Sequence, residues 1–142
     1  MIFTMDVLGR PAPQGSKLIS GNGAMREASA YLPAWRAAVK RACYEAYRAA
    51  GIAPETLPLF GGPVTVDLRF RLATAFDDAP DVDKLARAVL DALGGSRKKG
   101  ARVFDDDCRV VLLVVSKLPG PHATNGCRIE VAHFYAPGGV VV

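Results

Sequence analysis

Five aspartates fall in two short runs, Asp81 and Asp83 in "PDVDK" and Asp105, Asp106 and Asp107 in "FDDDC". Adjacent carboxylates repel one another, and a divalent cation relieves that cost. Mg2+ is a hard ion, usually held by one or two carboxylates together with water and substrate phosphate oxygens. If the two runs meet, Asp81, Asp83 and one or two of Asp105 to Asp107 would hold one or two Mg2+ ions, with Mn2+ as the alternative. Such a centre activates water for in-line attack on a phosphodiester and stabilises the leaving oxygen. An Arg or Lys beside it would steady the charge of the reacting phosphate. Each carboxylate also has a purely structural alternative: Asp81 as a helix N-cap, and Asp105 to Asp107 as turn residues.

The elements that must position these groups follow from periodicity. Over residues 82–93, Leu85, Ala86, Val89, Leu90 and Leu93 share one face of a helix, while Asp83, Arg87 and Asp91 lie on the other. The two four-residue steps through Arg87 would equally suit a surface ion-pair ladder. "PVTVDLRFRL", residues 63–72, alternates strictly and predicts a strand with one wet face. "RVVLLVVSK", from Arg109, is a continuous apolar run suited to a central strand buried on both sides.

A first strand is expected in "MIFTMDVL" and a last one in "CRIEVAHFY", leaving residues 136–142 as a tail. From Pro33 a helix is expected, with Trp35, Ala38, Val39, Ala42, Cys43 and Ala46 inward. Residues 10–30 lack periodicity and read as a flexible basic loop carrying Arg10, Lys17 and Arg26. The expected fold is a single α+β domain over residues 1–142, a mixed β-sheet with two main helices in the order β-α-β-α-β-β.

Composition bounds the partner. The 142 residues carry a formal net charge of +4, yet residues 61–110 hold nine of the fourteen acids, all of them aspartate. Nucleic acid requires both signs: a basic rim for its phosphates and a carboxylate centre for a metal. Candidates for the rim are Arg10 and Lys17, the helical stripe Arg36, Lys40, Tyr44 and Arg48, and the loop residues Arg97, Lys98, Lys99 and Arg102. Ordinary solvated faces are the alternative for each group. Three cysteines without a Cys-x-x-Cys pair indicate neither a disulfide framework nor zinc. His122 and His133 do not supply a zinc site, and no segment reaches the roughly 20 apolar residues of a membrane span. A cytoplasmic protein is expected.

The ordered set resembles the RusA-type Holliday-junction resolvases, small homodimeric endodeoxyribonucleases of bacteria and their phages. It comprises Asp81-Val82-Asp83-Lys84, Arg87, Asp91-Ala92-Leu93, Asp106-Asp107-Cys108-Arg109-Val110 and Lys117-Leu118-Pro119. The match covers residues 80–119 and, more loosely, "GRPAPQGSK" near the N-terminus. It implies Asp81, Asp83 and Asp107 as metal-binding catalytic carboxylates with Asp106 close by, and a catalytic role for Arg87. Lys84 and Lys117, inside the matching segment, join the candidates for DNA contact.

The resemblance further implies a homodimer that binds a four-way junction and makes paired, symmetric nicks. Lys84 stands where the family commonly has Asn, Arg87 where it has Lys, and Arg109 where Gln is frequent. Arginine clamps phosphate in a bidentate manner but does not readily release a proton, so the first role survives the change better than proton donation. Residues and spacing by themselves support a divalent-metal phosphodiesterase acting on a polyanion. They leave open another structure-selective nuclease with the same centre, or a basic nucleic-acid-binding protein whose aspartates are caps and turns.

Overall fold

The structure, a computed structural model, describes residues 1–15, 17–19, 25–27, 29–94, 100–120, 123–136 and 140–141. Its elements are β1 (Ile2–Leu8), β2 (Lys17–Ile19), β3 (Met25–Glu27), α1 (Leu32–Ala50), β4 (Val64–Leu72), α2 (Val82–Leu93), β5 (Val110–Pro119), β6 (Gly126–His133), β7 (Tyr135–Ala136) and β8 (Val140–Val141).

Four strands form one mixed sheet in the order β1-β6-β4-β5. The β1/β6 and β6/β4 pairs are antiparallel, and the β4/β5 pair is parallel. A parallel pair cannot be joined by a tight turn, and α2 is the crossover. Period-two alternation puts Val64, Val66, Leu68, Phe70 and Leu72 of β4, Cys127, Ile129 and Val131 of β6, and Phe3, Met5 and Val7 of β1 into one core. Both helices add to that core. α1 packs against β1 and α2, while α2 packs against β5. The α+β architecture expected from the periodicities is the one observed.

α1 contributes Leu32, Trp35, Val39, Cys43 and Tyr47 to the core, and Ala38, Ala42 and Ala46 pack at its margin. Tyr47 was not among the expected inward residues. Its hydroxyl is satisfied by donating to the Ala101 carbonyl at 2.8 Å, which lets a polar aromatic sit inside. α2 buries Leu85, Ala86, Ala88, Val89, Ala92 and Leu93.

Three expectations are corrected. The segment at 10–30 is not wholly loop, because β2 and β3 pair antiparallel within it; Lys17 and Arg26 lie in those strands. Residues 136–142 are not only a tail, because Tyr135 and Ala136 pair with Val141 and Val140.

The largest departure concerns β5. It lies at the sheet edge, and Val111, Leu112, Leu113, Val114 and Leu118 are 40 to 69% exposed. A continuous apolar run is compatible with burial on both faces but does not specify where its partners come from. Here β4 takes one edge of β5, α2 covers part of one face, and no strand among the described residues pairs with the other edge. Near the start of β5 the ladder shifts register: Val64 pairs with Val110 but Thr65 with Leu112, leaving Val111 as the extra residue of a bulge.

Candidate metal and phosphate cleft

α2 aims one end of the site. Asp81 occupies its N-cap, yet the carboxylate makes no capping hydrogen bond. The capping alternative is therefore not realised, and the Asp81 side chain is exposed with no internal partner among the described residues. The same point is tied to the far end of β5, where the Lys117 ammonium donates to the Pro80 carbonyl at 2.9 Å. Lys117, a candidate for DNA contact, is thus also a staple at the mouth of the helix.

The second acidic run is sorted by its neighbours. Asp105 accepts two hydrogen bonds from the Arg109 guanidinium, at 2.9 and 3.2 Å. That bidentate contact holds the Asp105 carboxyl below its ordinary range, and the paired guanidinium of Arg109 is raised in turn. Asp106 caps a single 3-10 turn over Asp107–Arg109, its Oδ1 accepting from the Cys108 N–H at 3.0 Å. Asp107 is left as the one carboxylate of the three without a side-chain partner among the described residues. Turn chemistry thus accounts for Asp105 and Asp106 but not for Asp107.

Asp83, Arg87 and Asp107 line one cleft of about 350 Å3, together with Val82, Ala86, Leu90, Leu113 and Val115. The two acidic runs are therefore brought to a common cavity by α2 on one side and the β5 approach on the other. Asp81 and Asp106 are not among the lining residues. No three His, Cys, Asp or Glu side chains among the described residues lie close enough together to hold a metal ion. The donor set facing the cleft is two carboxylates and a guanidinium. Two carboxylates fit Mg2+ or Mn2+, whose remaining positions water and phosphate oxygens ordinarily fill.

The expected Asp83–Arg87–Asp91 ladder is not formed among the described residues. Asp91 turns to α1 instead, accepting from the Gln14 side-chain amide and lying 3.9 Å from the Arg36 guanidinium. Arg36 also donates to Gln14. Arg36 is consequently a link between the two helices as well as a candidate rim cation. Arg87 is exposed and has no hydrogen bond or ion pair within the described residues.

The other candidate cations lie on several elements. Arg10 stacks over the Tyr31 ring, 3.7 Å from its centroid, an arrangement that leaves the guanidinium edge open. Lys40 and Lys84 are half-buried on α1 and α2. The backbone of Lys17 lies in β2, and its side chain, like Arg97, Lys98 and Lys99 altogether, lies outside the described residues.

Gln14 and Gly15 were not singled out from the sequence. The available signal was a lone amide side chain between Pro13 and Gly15, at the end of a stretch whose prolines fix the backbone. No protein-family model matches the chain, and no curated protein is significantly similar to it.

Proposed function

We propose that the chain is a divalent-metal-dependent endodeoxyribonuclease of the RusA type, resolving four-way DNA junctions by paired symmetric phosphodiester hydrolysis inside a bacterial or phage-infected cell. The observation that carries the reading is the shared cleft: Asp83 and Asp107, 24 positions apart in sequence, face one cavity beside the Arg87 guanidinium, which is unpaired among the described residues. Structural roles absorb Asp105, Asp106 and Asp91 and leave those three groups over.

Asp83 and Asp107 would hold Mg2+ or Mn2+, with the uncapped Asp81 at the rim available as a further oxygen ligand. When bound, the ion supplies Lewis acidity toward a phosphate oxygen and a lowered pKa for water. The protein's own contribution is positioning. Arg87 presents a planar fork matched to two phosphate oxygens, so it orients the scissile phosphate and offsets negative charge that grows toward the transition state. Leu90, Leu113 and Val115 supply the apolar part of the cleft lining beside that contact.

A homodimer belongs to the same reading, because symmetric cuts require two equivalent centres. The exposed apolar edge of β5 supports it: unpaired hydrophobic edge strands are rare in monomers because they associate. In an antiparallel pairing centred on Val114, Leu112 faces Ser116 and Val111 faces Lys117 of the second copy, so no like charges meet.

Cleavage of four-way, flap and linear DNA with Mg2+ tests the reading. Preference for the four-way junction, lost in Asp83→Asn and Asp107→Asn while junction binding persists, is the expected result. Equal cleavage of all three substrates favours a different structure-selective nuclease. Undiminished cleavage by both variants removes the catalytic assignment.

A further inference from the structure

Gln14 makes three contacts, two to α2 and one to α1. Its backbone N–H donates to the Lys84 carbonyl at 3.0 Å, its side-chain NH2 donates to Asp91, and its side-chain oxygen accepts from Arg36. The amide is thereby fixed in one orientation: reversing it would set NH2 against a guanidinium and oxygen against a carboxylate. Glutamate at this position would repel Asp91, and an apolar residue would leave Asp91 without its donor.

The next residue meets the cleft. Gly15 has φ +107, in the region that favours glycine, and a Cβ there would lie 2.7 Å from Arg87 Nη1. The backbone at Gly15 therefore packs directly against the guanidinium. Arg87 has no ion pair or hydrogen bond among the described residues, so this packing is what restricts its long side chain.

We propose that Gln14 is a positioning residue: held between Asp91 and Arg36, it seats Gly15 against Arg87 and so aims that guanidinium at a phosphate of bound DNA. The inference rests on the reading of the cleft as a DNA phosphate site, and it gives Asp91 a role that neither an ion-pair ladder nor metal binding supplies. Restricting Arg87 before DNA arrives lowers the entropy lost on binding. An effect on affinity without any metal follows.

Equilibrium binding of a four-way DNA junction in EDTA, measured across a range of salt concentrations, tests it. Arg87→Gln should remove one phosphate contact, reducing the salt slope by about 0.9 and the affinity about tenfold near 0.1 M salt. Gln14→Ala should reproduce both changes, and the two substitutions together should cost no more than either alone. Gln14→Glu should fail in the same way, whereas Gln14→Glu with Asp91→Asn restores a donor facing an acceptor and should recover most of the affinity. That rescue decides the matter even if Gln14→Ala folds poorly.

A wild-type salt slope in Gln14→Ala beside a reduced one in Arg87→Gln overturns the clamp but keeps the cleft. Additive losses, or no rescue in the folded double variant, also overturn the clamp. Wild-type binding by Arg87→Gln instead overturns the reading of the cleft on which the clamp depends.

Discussion

Lys117, near the end of β5, holds the carbonyl of Pro80 at 2.9 Å, one residue before Asp81, the N-cap of α2. This bond crosses from the edge strand to the helix start and ties the two walls of the cleft together. Lys117→Met should lower the unfolding free energy by about 1 kcal/mol, seen in urea denaturation. It should also reduce cleavage under single-turnover conditions by more than that loss of stability explains, because Asp81 and Asp83 lose their anchor. A variant that cleaves at the wild-type rate would show the staple to be dispensable.

The acidic turn separates into unequal carboxylates. Asp105 is committed to Arg109 and Asp106 to the Cys108 N–H, while Asp107 faces the cleft. Asp107→Asn should lower the cleavage rate by at least about 100-fold, the usual scale for losing a group that stabilises charge only in the transition state. Asp105→Asn should stay within a few-fold of the wild type. Rates measured side by side at saturating metal check the contrast, and equal losses would mean that the turn acts as a unit.

Gly94 closes α2 against the ring of Phe104, the residue that introduces the acidic turn. A Cβ at Gly94 would fall 2.5 Å from Phe104 Cε2, and that ring is fully buried. Gly94→Ala should destabilise by about 1 to 3 kcal/mol through overpacking, measured by chemical denaturation. Because Val103 donates to the Leu93 carbonyl at 2.9 Å immediately beside it, the displaced ring should also move Asp107 and lower activity.

The thiols give a pH dependence with a definite sign. Burial pushes Cys43 and Cys127 up to about 12 from an ordinary value of 9.0. Burial also raises the phenol of Tyr47 above its ordinary range. In the unfolded chain the thiols ionise first, so their contribution to stability is fully present below pH 9 and declines as pH rises toward 12. Urea midpoints across that interval should fall, and Cys43→Ala should flatten the decline. At neutral pH the exposed Cys108 should react quickly with a thiol reagent while the two buried cysteines wait for unfolding.

Charge on the edge strand should separate the subunits of the proposed dimer. Val114→Lys places like charges across the pairing centred on that residue, and a lysine on an edge strand blocks strand addition. Sedimentation should show a dimer for the wild type and a monomer for the variant. A wild-type chain that sediments as a monomer at all concentrations would remove the β5 seam.

Local periodicity made the core elements legible: the alternation of Val64 to Leu72 and the helical spacing of Leu85 to Leu93 each select one face without knowledge of the rest of the chain. The two acidic runs were legible as candidates because each gathers more carboxylates than a cap or a turn uses, whereas the parallel β4/β5 pair, with α2 as the crossover between them, was not. What periodicity does not carry is partner choice. Asp91 sits four residues from Arg87 yet bonds to Gln14, 77 positions away, and such a pairing exists only once α1, α2 and the N-terminal segment meet. The placement of β5 failed for a related reason: six apolar residues in a row, Val110 to Val115, say that water must be excluded, but not whether this chain or a second one excludes it.

The bulge at Val111 has a consequence for the acidic turn. Side chains alternate across a strand, so one extra residue between Val110 and Leu112 reverses the parity of everything upstream relative to β4. Val111 therefore acts as a phase shifter. Its deletion would leave every aspartate in the chain but would put Val110, and the turn that leads into it, out of phase with β4, shifting Asp107 relative to the wall it shares with Asp83.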